Sequence, residues 1–177
     1  MLSNSKETCS GSRSRVEAAI QRRETDRVPK GEICIDEAVV KTSLSVDKAG
    51  FDKKLEFINK LGLDIVCLDP VYPEFIGRLP DPAEVCWADL GDWVNTGLFS
   101  FAVLDGVLGW GLKCFGFNQF LTLPNKSPLS IHSFTEKVTS LNIEMAGRLI
   151  DAGIDGLIIA DDLAYRRGLL IKPRDMR

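Results

Sequence analysis

DGLIIADDLAYRRGLLIKP, residues 155–173, holds the run that decides how this chain folds. Leu157 to Ala160 is continuously apolar and ends on two adjacent carboxylates, Asp161 and Asp162. The same figure occurs three more times, as ICID (33–36), VCLD (66–69) and AVLD (102–105), so that Asp36, Asp69, Asp105 and Asp161 each close a short apolar run. Short runs that are apolar throughout, rather than alternating, are what strands covered on both faces require.

Between these runs the period becomes helical. DKAGFDKKLEFINKLG (47–62) sets Phe51, Leu55, Ile58 and Leu61 on one helical face, and Gly62 suits the left-handed position that closes a helix. HSFTEKVTSLNIEMAGRLIDAG (132–153) spaces Phe134, Val138, Leu141, Met145 and Leu149 in the same way, with Ser133 and Glu136 in capping-box register and Gly153 as a stop. SRVEAAIQRR (14–23) repeats the capping-box spacing with Ser14 and Glu17, and Pro29 prevents its continuation. VLGWGLKCFGFNQFLTLP (107–124) reads as a short, closely packed helix. The proline-rich stretch from Pro70 to Asn95 reads as a long loop with a small hairpin near Val85–Trp93. Strands at 31–36, 63–70, 97–106 and 155–162 alternating with helices predict an α/β fold with about four parallel strands.

A chain of 177 residues with 45% hydrophobic and 27% charged residues can bury a core of its own. A net charge of −3 argues against nucleic acid or an anionic membrane as the main partner. No apolar run reaches the roughly 18 residues of a membrane span, and the first residues lack the apolar centre of a secretory signal. A cytoplasmic protein is expected, with residues 1–12 disordered and 13–177 forming the domain. Five widely spaced cysteines without a CxxC pair predict buried free thiols. No metal site is assigned, because these cysteines and the single histidine, His132, share no ligand spacing. GxSxG, Walker and GxGxxG signatures are absent.

All strand C-termini of a parallel sheet point to one side, where ligands bind in α/β folds. The four endings, joined by Asp162 and Glu37, therefore predict a rim of carboxylates. For Asp36 and Asp105 the competing role is that of a helix N-cap, and for Asp69, before Pro70, that of a turn residue. One cap needs only one carboxylate, so the doubled Asp161–Asp162 points to a site. Arg166 and Arg167 either neutralise this pair or are simply solvated. His132, in a loop-like context, is a lesser candidate for a base. Trp87, Trp93 and Trp110 are expected in packing roles.

Several segments, in this order, resemble the uroporphyrinogen decarboxylase superfamily: EAAIQRRETDRVPKGE (17–32), LGLDIVCLDP (61–70), AVLDG (102–106) before GF..FLT (116–122), and 151–177. DRVP and DDLAY..GLLI.P are most similar to its branch of corrinoid-dependent methyltransferases. The resemblance implies a TIM-type (β/α)8 barrel with its site at the C-terminal rim. It implies transfer of a methyl group from a small donor, such as a methylamine, methanol or an aryl methyl ether, to a corrinoid or thiol. Corrinoid, a corrinoid protein as partner, and zinc held by histidine and cysteine in the second barrel half are implied by the resemblance alone. On this basis Asp161, Asp162 and Tyr165 are expected to be catalytic, and Asp36, Asp69, Tyr72 and Asp105 to bind substrate.

Two departures matter. The decarboxylases grip substrate carboxylates with an arginine motif at the first strand, whereas no arginine occurs here between Arg27 and Arg78. A rim of aspartates would also repel a polycarboxylate porphyrinogen, which leaves decarboxylation as the alternative activity. Four strands instead of eight make the chain read as the N-terminal half of a barrel, incomplete as it stands; an alternative is a non-catalytic half that closes against a second half-barrel chain or another copy of itself. The remaining alternative is an independent open sheet with flavodoxin-like winding.

Overall fold

In the computed structural model, which describes residues 11–73 and 77–172, three apolar runs pair into one parallel sheet. Its strands are β1 (Ile65–Leu68), β4 (Phe99–Asp105) and β5 (Gly156–Ala160), in the spatial order β1-β4-β5. Short antiparallel pairs join β2 (Pro70–Val71) to β3 (Cys86–Trp87) and β6 (Ala164–Tyr165) to β7 (Gly168–Leu169). The helices are α1 (Ser12–Ile20), α2 (Glu37–Leu44), α3 (Phe51–Leu61), α4 (Leu90–Val94), α5 (Val107–Phe115), α6 (Phe117–Lys126) and α7 (Pro128–Asp151), with a 3-10 turn at Pro82–Glu84. The fold is thus mixed α/β, with three parallel strands rather than four. The first residues lie outside the described chain up to residue 10, but Gly11 and Ser12, expected to be disordered, begin α1.

The chain divides into two units, one of Met1–Leu68, Asp89–Phe101 and Ala152–Gly156, the other of Asp69–Ala88, Ala102–Asp151 and Leu157–Arg177. In the first, Val40, Ala49 and Phe57 form a buried cluster on which Ile35 and Leu44 pack. The expected strand at 31–36 does not form. Main-chain pairing with β1 stops at a single bridge, Gly31 to Ile65. Beyond it Ile33 and Cys34 are exposed, and Asp36 caps α2 by accepting from the Ala38 amide at 2.6 Å. An apolar run becomes a strand only where a neighbour continues the ladder, and here the chain turns into a helix instead. Helix α3 ends as its sequence predicts, on Gly62 at φ 62°.

The first unit is tied together by Asp64, whose side chain is fully buried. Its carboxylate accepts from Arg15, from Arg27 Nη1 at 2.6 Å, and from the Lys30 amide at 2.9 Å. Burial pushes the Asp64 pKa up, but the Lys30 amide and the arginines outweigh it, so the net shift is downward. Arg15 also donates to Asp26 at 2.5 and 2.8 Å.

In the second unit, α7 buries the five residues predicted from its spacing: Phe134, Val138, Leu141, Met145 and Leu149. The helix begins earlier than predicted, with Pro128 at its first position, where proline loses no hydrogen bond. Ser133 is therefore interior and caps nothing, and His132 lies on an exposed helical face, 3.5 Å from Glu136. Nor does Ser14 cap α1: its hydroxyl donates to Gly11 O, and the cap position is Gly11. The 107–124 run forms two helices, not one, because Gly116 at φ 77° reverses the chain between α5 and α6. Phe115, Phe120 and Phe134 then meet edge-on or stacked at 5.1–6.1 Å. The hairpin expected near Val85–Trp93 is replaced by the pairing of β3 with β2, followed by α4.

The cysteines depart from expectation. Cys34 and Cys86 are exposed and Cys67 and Cys114 half-buried, while Cys9 lies outside the described residues. The three tryptophans are buried, as expected. No helix among the described residues is long and apolar enough to cross a membrane.

Removing the Asp64 carboxylate strands two arginines, so Asp64→Ala is expected to cost about 3–5 kcal/mol in urea unfolding. The hydrogen bond from Arg15 lowers the Asp26 pKa from 3.8 to about 2. A carboxylate whose folded pKa is depressed stabilises the fold above its unfolded value and loses that contribution as protons bind the native state. Stability is expected to decline as pH falls from about 3.8 toward 2, and Asp26→Asn to flatten that decline.

Candidate functional site

The chemistry of the second unit gathers where β4 ends. Asp105, its last residue, sits beside Gly106 and the start of α5. The Tyr72 hydroxyl donates to Asp105 Oδ2, and Lys113 Nζ, two turns along α5, lies 2.9 Å from the same oxygen. Asn142 of α7 donates to the Asp105 carbonyl at 2.9 Å. Tyr72 is held from two sides. Its ring meets Trp110 edge-on at 4.8 Å, and the Lys113 ammonium lies 5.3 Å from its centroid. Burial, and then the Asp105 carboxylate, hold the Tyr72 phenol far above the ordinary tyrosine range. Tyr72 therefore acts as a proton-bearing donor, not as a base.

Asp161 has a different task. It accepts from the amides of Leu108 at 3.1 Å and Gly109 at 2.8 Å, the second and third residues of α5. A strand end thereby caps a helix that is remote in sequence, and its charge faces the positive end of the helix dipole. Two glycines make room for this. A Cβ on Gly106 would run into the Asp161 carboxyl, and one on Gly109 into the Asp105 carboxyl.

Asp105, Lys113 and Asp162 line a cavity of about 420 Å³, together with Leu108, Gly109, Leu112 and Ala160. No protein-family model, curated protein or solved structure matches the chain.

The expected site residues are thus separated. Asp105 and Tyr72 meet directly, and Asp162 shares the cavity with Asp105. Asp69 is exposed after β1, and its charge adds to the upward push on Tyr72. Tyr165, 56% exposed in the β6–β7 hairpin, makes no hydrogen bond to these groups, and Arg166 and Arg167 are solvated at the hairpin tip. Asp36 caps α2 in the first unit. Among the described residues no group of three or more histidine, cysteine or acidic side chains could hold a metal. Lys113 was not anticipated. The available signal was its isolation, since it is the only charged residue between Asp105 and Lys126.

Because Asp161 caps α5, Asp161→Ala should lower stability by about 1–2 kcal/mol through the two amides it leaves open. Asp161→Asn, which keeps one acceptor oxygen, should lose less. Thermal unfolding of both variants measures this.

Proposed function

We propose that the chain is a methyltransferase-type member of the uroporphyrinogen decarboxylase superfamily, whose cavity beside Asp105 holds a small methyl donor. The observation that carries this reading is the convergence of Tyr72, Asp105 and Lys113 at the C-terminal end of the central parallel strand, the position at which α/β sheets bind ligands. The sequential strand order β1-β4-β5, with helices in both connections, supports two βα units and a third strand of a TIM-type barrel. The cavity suits a small molecule. Asp105 and Asp162 outnumber Lys113, which favours a donor with a cationic or hydrogen-bond-donating group over a polycarboxylate.

Asp105 is the orienting group, held by Tyr72 and Lys113, and Tyr72 supplies a fixed donor. The role proposed for these residues is to bind and orient the donor. The methyl acceptor, corrinoid or thiol, follows from the family likeness alone.

The test is a methyl-transfer assay on this chain, with cobalamin or a thiol as acceptor and a panel of methylated amines, methanol and aryl methyl ethers. At least one donor should react, and Asp105→Asn should lower the rate about 10- to 100-fold, the worth of a charge-assisted hydrogen bond. Absence of transfer from every donor, or an unchanged rate in the variant, removes the assignment.

A second reading, of a partner strand completing the sheet, has one observation in its favour. Strand β5 is wholly apolar, yet none of its residues is buried, and Ile159 is 57% exposed. Such an edge invites pairing. Light scattering should then report an assembly, and Ile159→Lys should dissociate it.

A further inference from the structure

The cavity that the preceding reading assigns to the methyl donor is lined by two carboxylates and one ammonium, satisfied to different degrees. Lys113 Nζ spends one of its three donors on Asp105 and remains 39% exposed. Asp162 is exposed in the same cavity and makes no hydrogen bond or ion pair with another described residue. Its neighbour Asp161 is committed to the α5 amides, and Asp105 to Tyr72 and Lys113. Lys113 and Asp162 do not pair with each other. Between them the wall is apolar or bare: Leu108, Leu112, Ala160 and Gly109.

A lone cation at Asp162 would leave the remaining Lys113 donors unused and would feel their repulsion. A lone anion at Lys113 would face Asp105 and Asp162. A molecule bearing both charges meets both ends, with its carbon framework against the leucines. The geometry points to a small zwitterion, an N-methylated amino acid, as the ligand, with its carboxylate on Lys113 and its ammonium on Asp162. This inference rests on the cavity being the donor site, but it concerns binding and not transfer.

Isothermal titration of the intact chain with trimethylglycine, tetramethylammonium and acetate tests it. Trimethylglycine should bind at least about tenfold more tightly than either half-ligand. Lys113→Met and Asp162→Asn should each reduce its affinity to that of one half, and Lys113→Arg should restore most of it. Thermal unfolding identifies any variant that fails to fold, and the half-ligand comparison on the unaltered chain holds regardless. Equal affinity for tetramethylammonium and trimethylglycine, or no binding of trimethylglycine to folded chain, overturns the proposal. Trimethylglycine binding together with absence of transfer from every donor tested, trimethylglycine included, would sink the methyl-transfer reading alone. Transfer from methanol or an aryl ether without trimethylglycine binding would sink the zwitterion alone.

Discussion

The two hydrogen bonds from the amides of Leu108 and Gly109 to the Asp161 carboxylate are the contact on which the site depends. They set the direction in which α5 leaves the end of β4. That direction places Trp110, fully buried, against the Tyr72 ring, and brings Lys113 back over Asp105. Bare backbone at Gly106 and Gly109 is part of the same constraint, since a methyl group at either would displace a carboxylate. A short helix has open amides at its start; filling them from β5 makes the entrance to the cavity a consequence of strand pairing rather than of loop conformation.

Four of the aspartates at or beside strand and helix ends are each satisfied by a different partner. Asp36 is bonded to the α2 amide of Ala38, Asp161 to α5 amides, Asp105 to a phenol and an ammonium, and Asp64 to two guanidinium groups. Backbone amides at a helix start neutralise a carboxylate without adding a mobile counter-charge. Lys113 is thus needed only at Asp105, and Asp162 is left facing solvent within the cavity.

How much of this was legible follows from where the information resides. The five buried positions of α7 could be read directly, because helical spacing depends on neighbours three and four residues apart. The runs at 66–69, 102–105 and 158–161 were read as strands because length and apolar content exclude most alternatives. ICID has the same local pattern and still fails to form a strand, since only the partner strand decides whether a ladder continues past Gly31. Capping boxes at Ser14 and Ser133 were overridden by helix starts upstream, at Ser12 and at Pro128. The roles of Asp161 and Lys113 were least legible. A cap bridging more than fifty residues has no sequence signature, and a lysine two turns beyond a strand end gains its meaning only once the helix direction is known.

Charge number also limits what the cavity can hold. Two carboxylates line it against one ammonium, and that ammonium is already engaged with one of them. Like charges about 5 Å apart repel by about 3 kcal/mol at an effective dielectric constant near 20. A ligand with a single carboxylate can place it on Lys113 and offset that repulsion with a cation toward Asp162. Each further carboxylate has no donor left to meet. Tyr72 cannot relieve the shortage by taking up negative ligand groups, because its proton is committed to Asp105 and burial keeps the phenol neutral. At the proposed site the resident charges therefore disfavour polycarboxylates on electrostatic grounds and suit ligands whose own charges are paired.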